Sequence, residues 1–262
     1  MSERTTLLPG SFCWPELATP DIEKAKTFYG GLFGWTGVDV PSAGGNYSLL
    51  KLRDLDVAGT RTLSAQEREH GIPSHFMTYV STASADASAA KVAELGGKVV
   101  AGPFDVEGIG RMCIATDPGG VAFALWEARG HIGARLVGEE ATLCWTELVT
   151  KDAAGAQAFY GGLFGWTFKR SSTSPVPYFE IYRDGQAIGG VLPMEGEWWG
   201  DVPPHWMPYF AVADCDASVA TARALGGAAA VPPTDIPSIG RFSVIKDDQG
   251  AHFTIIAWAA MG

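Results

Sequence analysis

The chain has 262 residues, with 29 acidic against 19 basic side chains for a formal net charge of −10, 47% hydrophobic residues and four cysteines. That charge repels phosphate backbones and anionic lipid, so neither nucleic acid nor a membrane is an expected partner, and the apolar content excludes disorder. Cys13, Cys113, Cys144 and Cys215 form no CxxC, no run of about 18 apolar residues occurs, and only Leu7-Leu8 precedes Pro9-Gly10, which together predict a reduced, cytoplasmic protein without a signal segment.

Residues 12–18 read as a strand, and Thr19-Pro20-Asp21 as a helix start with Thr19 as the cap and Pro20 in the first helical position. Ile22, Ala25, Phe28 and Leu32 recur at helical spacing, which turns Phe28 and Leu32 toward a sheet, and Gly34 ends the helix. Strands follow at 47–52 and 57–63, then a polar loop at 64–73. The order begins again with a strand at 75–81, a helix at 86–95 stopped by Gly96-Gly97, and strands at 98–106, 111–116 and 121–126 around the turn Asp117-Pro118-Gly119-Gly120. Each half therefore contains two βαβββ-like units. The glycine-bearing residues 128–140 separate a first domain, 10–127, from a second, 141–260.

The second domain repeats the first. Phe28-Tyr29-Gly30-Gly31-Leu32-Phe33-Gly34-Trp35-Thr36 returns unchanged from Phe159 to Thr167, a shift from 28 to 159 that is 131 residues, half the chain. Glu147 answers Glu16 and Tyr178 answers Tyr47 at the same spacing, while His205 answers His75 one residue sooner. Trp35 and Trp166, at the ends of packed helices, are expected in the core.

The pattern W-x-E-L, D-x-x-x-A-x-x-FY-x-x-L-F-G-W, G-G, G-R and D-P-x-G resembles the glyoxalase/bleomycin-resistance/extradiol-dioxygenase group, the vicinal oxygen chelate superfamily. Pro204-His205-Trp206 and the segment from Asp235 to Phe242 are similar to a two-domain actinobacterial subgroup, which includes secreted-antigen-like proteins and polyketide-pathway components often labelled hydroxylases. The resemblance implies an α+β fold, a tandem duplication of glyoxalase-like domains whose four βαβββ modules form curled mixed sheets around cavities. It also implies a divalent metal held by His, Gln or Glu at four strand positions. Those positions fall here on Trp14, Met77, Ala124 and near Ala58, and in the repeat on Trp145, Met207, Thr254 and near Ile188. Indole, thioether and methyl groups do not coordinate a hard cation, so no cofactor and no metal site is expected.

Glu16 and Glu147 lie two residues after Trp14 and Trp145, and His75 and His205 two before Met77 and Met207, so each shares a strand face with a replaced ligand position. These four are the candidate catalytic residues, as general acids, bases or hydrogen-bonding groups; the plainer alternative is a strand-end ion pair for each Glu and a loop contact for each His. Trp14, Tyr47, Tyr79, Trp145, Tyr178, Trp206 and Tyr209 form the candidate substrate-binding wall, suited to a planar aromatic ligand. The loop 195–200, with Trp198-Trp199, reads as a lid or contact surface, and Arg68-Glu69-His70 takes its place in the first half. Arg111 and Arg241 are expected to hold Asp105 and Asp235.

The expected function is metal-independent binding or transformation of a small aromatic, polyketide-type metabolite by a monomer or homodimer, through proton transfer or an oxygenation in which the substrate itself activates oxygen. Two alternatives stand beside it: a non-catalytic protein that sequesters an antibiotic or toxin, and a glyoxalase-like lyase with a divalent metal on an atypical Glu/His site.

Overall fold

The structure is a computed structural model and describes residues 3–42, 45–106, 108–174 and 176–259, with the side chain of Trp198 outside them. The proposed end of the second domain at residue 260 also lies outside the described residues. In the first half, β1 (Phe12–Thr19), α1 (Ile22–Phe33), β2 (Thr36–Val40), β3 (Tyr47–Leu52) and β4 (Leu55–Thr62) form one βαβββ module. A short α2 (Ala65–Glu69) leads to the second, β5 (His75–Ser81), α3 (Ala85–Glu94), β6 (Lys98–Val106), β7 (Gly110–Thr116) and β8 (Ala122–Ala128). The second half contains β9 (Leu143–Thr150), α4 (Ala153–Phe164), β10 (Thr167–Arg170), β11 (Phe179–Arg183) and β12 (Gln186–Pro193). It continues through β13 (His205–Ala211), α5 (Cys215–Ala224), β14 (Ala228–Ile236), β15 (Gly240–Lys246) and β16 (His252–Trp258).

Each half is one eight-stranded mixed sheet, ordered β2-β3-β4-β1-β5-β8-β7-β6 and β10-β11-β12-β9-β13-β16-β15-β14. The modules join where β1 runs antiparallel to β5, placing Trp14 beside Tyr79 and Glu16 beside Met77; β9 and β13 repeat this with Trp145 beside Tyr209 and Glu147 beside Met207. Because cross-strand neighbours share a face, Trp14, Glu16, Met77 and Tyr79 gather on one side of the first sheet, and Trp145, Glu147, Met207 and Tyr209 on one side of the second.

Local chemistry departs from the sequence expectation in three places. Asp21, not Thr19, caps α1, its carboxylate accepting from the Glu23 and Lys24 amides at 3.0 and 3.1 Å, and Pro20 lies before the cap. Thr19 is instead the last residue of β1. The five residues of β2 offer only Val38 and Val40 as an apolar alternation, and the turn of α2, inside the polar loop 64–73, has no apolar stripe that would reveal it. Gly34 does stop α1, in the left-handed region at φ 71°.

The helix-bearing faces of the two sheets meet. Phe28, Tyr29, Phe33 and Trp35 of the first half pack with Phe210, Val219, Phe253 and Ile255 of the second. Reciprocally, Phe159, Tyr160 and Trp166 pack with Val80, Val92, Phe123 and Leu125. The Tyr29 hydroxyl donates to Asp247 at 3.0 Å and the Tyr160 hydroxyl to Asp117 at 3.2 Å, each across the halves. Residues 128–140 form a packed strap: Ala134 and Leu136 are buried, and the Ala134 amide donates to the Cys13 carbonyl at 2.7 Å. No helix among the described residues is long and apolar enough to cross a membrane, and the four cysteines are free thiols.

Candidate functional site

Opposite the shared core, each sheet carries the same polar constellation set among aromatic rings. In the first half Glu16, 6% exposed, accepts from the Tyr79 hydroxyl at 3.0 Å, and the Trp14 indole N–H donates to the Tyr47 hydroxyl at 3.0 Å. In the second, Glu147, 7% exposed, accepts from Tyr209 at 2.8 Å, and Trp145 donates to Tyr178 at 2.8 Å. A glycine makes each arrangement possible. A Cβ on Gly59 would lie 2.2 Å from the Tyr47 hydroxyl and one on Gly190 1.9 Å from that of Tyr178, so only a bare backbone lets these tyrosines lie against the strand.

The two copies differ in charge. In β4, two residues past Gly59, Arg61 donates from Nε to Glu16 at 3.1 Å and grips Glu67 with both terminal nitrogens at 2.7 Å. Glu67 also closes a capping box with Ser64, and Arg61 with these amide contacts holds its carboxyl down at about 2. Two residues past Gly190 the chain has Leu192. Glu147 thus lacks the cation that Glu16 has, and burial pushes its carboxyl up to about 7 against the Tyr209 and Tyr178 hydroxyls, which favour the carboxylate. Burial and the adjoining carboxylate together raise the phenols of Tyr178 and Tyr209 well above the ordinary tyrosine range, so both remain donors.

The copies differ in cover as well. The strap sets the His131 ring edge-on against Trp14, with centroids 4.9 Å apart, and Trp14 is 5% exposed. Trp145 is only half-buried and lines a cavity of about 310 Å³ between the N-terminal segment, the end of the strap and β9, β11 and β12. A larger groove of about 380 Å³ surrounds the turn at Asp247 to Gly250 and shares no lining residue with either constellation.

The histidines take no part in the carboxylate contacts. His75 donates from Nδ1 to the Pro73 carbonyl at 2.9 Å and His205 to that of Pro203 at 2.8 Å, since a carbonyl can only accept. Burial lowers the pKa of His205, and its Nε2 is left as an acceptor on the Met207 side of β13. Trp206 is a correction. It points to the other face, 4% exposed among Phe12, Tyr160 and Trp166, and its indole donates to the Tyr160 hydroxyl at 3.1 Å. Period-two alternation along β13, with Met207 and Tyr209 on the open face, is the signal that separates it from the wall. Ala58 likewise packs in the shared core.

Arg111 contacts Asp105 at 3.0 Å and also grips Asp86 at the start of α3; Arg241 does the same with Asp235 and Asp216. These are braces between helix and strand, away from the carboxylates. Arg61 and Glu67 were missed at the sequence level, where a lone Arg in a strand gives no sign of which carboxylate it meets. The loop 195–200 contains a 3-10 turn at Glu197–Trp199, with the Trp198 side chain outside the described residues.

The metal implied by the fold family does not fit these side chains. Trp14, Met77 and Ala124, neighbours across β1, β5 and β8, offer no donor for a hard cation, nor do Trp145 and Met207. Thr254 adds a single hydroxyl, and no group of three His, Cys, Asp or Glu with ligand geometry occurs among the described residues.

The sequence profile of the Glyoxalase/Bleomycin resistance protein/Dioxygenase superfamily matches residues 12–125 and again 142–255. CFP32 of Mycobacterium tuberculosis is 41% identical over 261 residues, covering 98% of each chain. The anthracycline biosynthesis protein DauV of Streptomyces sp. (strain C5) is 35% identical over 267 residues, covering 96% of this chain and 94% of its own. Among solved structures, the Mn(II)-bound glyoxalase from Novosphingobium aromaticivorans aligns with a TM-score of 0.67 at 15% identity, over 95% of this chain and 82% of that one. Homoprotocatechuate 2,3-dioxygenase from Arthrobacter globiformis aligns at 0.65 and 17%, over 97% and 82%. At such identities the structural likeness establishes the fold, whereas the profile and the two sequence relatives establish descent. The chain belongs to the glyoxalase/bleomycin resistance/dioxygenase superfamily.

Proposed function

We propose that the protein binds a small planar aromatic metabolite of polyketide type against Trp145, Tyr178 and Tyr209, and that Glu147 transfers a proton to or from it without a metal. One observation carries this reading: Glu147 is buried with no cation on it among the described residues, where its counterpart has Arg61, and burial pushes its carboxyl up to about 7. A carboxyl in that range is ionised often enough to accept a proton and protonated often enough to return one. Tyr209 orients the carboxylate through its 2.8 Å bond, and Tyr178, which accepts from the Trp145 indole and donates to Glu147, stays neutral beside it as a second orienting hydroxyl. His205 Nε2 supplies a further acceptor on this face. Removing a proton from a hydroxylated aromatic or an anthrone-type ketone gives an electron-rich anion, the form in which a substrate itself reduces dioxygen, so the same step would serve an oxygenation. The naming of a 35% identical relative for anthracycline biosynthesis supports an aromatic ligand. In the first half, where Arg61 holds Glu16 and the strap covers Trp14, the same fold serves structure.

The test is deuterium exchange at the acidic carbon of anthrone in D2O, followed by NMR. We expect catalysed exchange that rises with pH through about 7, falls by at least about a hundredfold in Glu147→Gln and persists in Glu16→Gln. Exchange untouched by Glu147→Gln would remove the residue from the chemistry. Binding with no exchange would assign the protein to sequestration, and stoichiometric metal in untagged protein would contradict the metal-free reading.

A further inference from the structure

The cavity beside Trp145 has a charge pattern that the proton-transfer reading does not use. Arg4 and Arg183 both line it, and no acidic residue among the described residues does, in a chain whose net charge is −10. Arg4 donates from Nη1 to the Phe12 carbonyl at 3.1 Å, and Arg183 from Nη1 to the Pro9 carbonyl at 3.2 Å. These are neutral acceptors. The contact of Arg183 with Asp184 spans 3.6 Å to a carboxylate that is 81% exposed, and the Arg183 Nε is buried with no hydrogen-bond partner among the described residues. Burial lowers the pKa of Arg4, and the like charge of Arg183 lowers it as well, against an opposing interaction with Cys13. Beside the guanidinium groups the lining includes the apolar residues Leu8, Phe12, Val137 and Ile188 together with Trp145.

Two cations held beside each other by backbone carbonyls, in a cavity of about 310 Å³ with an aromatic wall, make a receptor for an anion attached to an apolar body. We propose that this cavity takes the carboxylate end of the ligand, so that the substrate class is a planar aromatic carboxylic acid whose ring system passes Trp145 toward Glu147. The proposal rests on the reading that an aromatic ligand occupies the second half. It adds that Arg4 and Arg183 select the charged form. The planar guanidinium fork of Arg4 matches a carboxylate, and the ligand's charge relieves the repulsion between the two arginines.

The experiment compares anthraquinone-2-carboxylate with anthraquinone-2-carboxamide by calorimetry on the full chain, before and after Arg4→Gln and Arg183→Gln. We expect the carboxylate to bind at least about tenfold more tightly than the amide. The preference should shrink toward unity in either variant, return in Arg4→Lys, and fall with added salt, while amide affinity stays constant. Equal binding of the two compounds to the unmodified protein overturns this inference and leaves the Glu147 reading to the anthrone exchange, which needs no anion. Retention of the full preference in both Gln variants overturns the assignment to these arginines. Failure of both compounds to bind at about 1 mM overturns the inference together with an aromatic ligand in this half. Should a variant unfold, the two-ligand comparison on the unmodified protein decides alone.

Discussion

At the scale of the residue, the position occupied by Arg61 in one half and Leu192 in the other separates the two carboxylates. Both glutamates sit under a tyrosine hydroxyl on a strand face, but only Glu16 has a guanidinium within hydrogen-bond reach. The consequence for Glu147 can be measured as stability. Its folded pKa of about 7 lies above the ordinary glutamate value of 4.5, so between those values the folded chain binds more protons than the unfolded chain. Stability therefore falls as pH rises through that window and levels off above it. The full shift corresponds to on the order of 3 kcal/mol. Urea denaturation at pH 4.5 and pH 8 should show the unmodified protein losing about that much relative to Glu147→Gln, whose amide does not titrate. A pH-independent difference would place the carboxyl in an ordinary range. Glu147 was legible in the sequence as a Glu on the cavity face, but its ionisation was not, because that depends on a Leu located 45 residues later in the chain.

At the scale of the element, strand alternation did most of the positioning. β1 and β9 put Trp and Glu on one face, β5 and β13 put His, Met and Tyr on the same face, and the antiparallel pairing brings them side by side. The tyrosines of β3 and of the segment before β11 complete each wall only because β4 and β12 offer a glycine beneath the ring. Gly190→Ala places a methyl group where the Tyr178 hydroxyl lies, and overpacking of this kind costs about 1–3 kcal/mol. We expect Tyr178 to be displaced from Trp145, with a matching change in tryptophan fluorescence, weakened binding of anthraquinone ligands and an unchanged far-UV spectrum. Unaltered fluorescence and binding would show that the Tyr178 contact does not shape the site. Trp206 teaches the converse. Composition alone groups it with the other aromatics, yet its place one residue from Met207 sends it to the opposite face, where it meets Tyr160.

At the scale of the whole molecule, the two larger cores are shared between the halves, while a smaller cluster behind each constellation belongs to one half. The repeated motif at Phe28 to Thr36 packs against its own sheet and against the other half, and its copy does the same, so both large clusters contain residues of both halves. Phe253, fully buried among Phe28, Tyr29, Phe33 and Phe210, tests this. Phe253→Ala should cost about 3–5 kcal/mol, and unfolding should remain a single transition by fluorescence and circular dichroism, because neither sheet can lose its helix-bearing face alone. Two separated transitions would mean that the halves are energetically independent. The amino-acid sequence by itself determined the duplication, the superfamily, the order of the principal strands and helices and the strand face that Glu16, Glu147, Met77 and Met207 share, because these depend on local periodicity and on motifs read in one dimension; β2, α2 and the face of Trp206 were not legible there. Only the tertiary structure decided that the strap covers Trp14 while a cavity with two arginines adjoins Trp145, that Arg61 neutralises one glutamate and none the other, and that the helices pack across the repeat. Those outcomes depend on burial and on contacts between residues distant in the chain, where desolvation and charge pairing set the energy and neither is a property of any one segment.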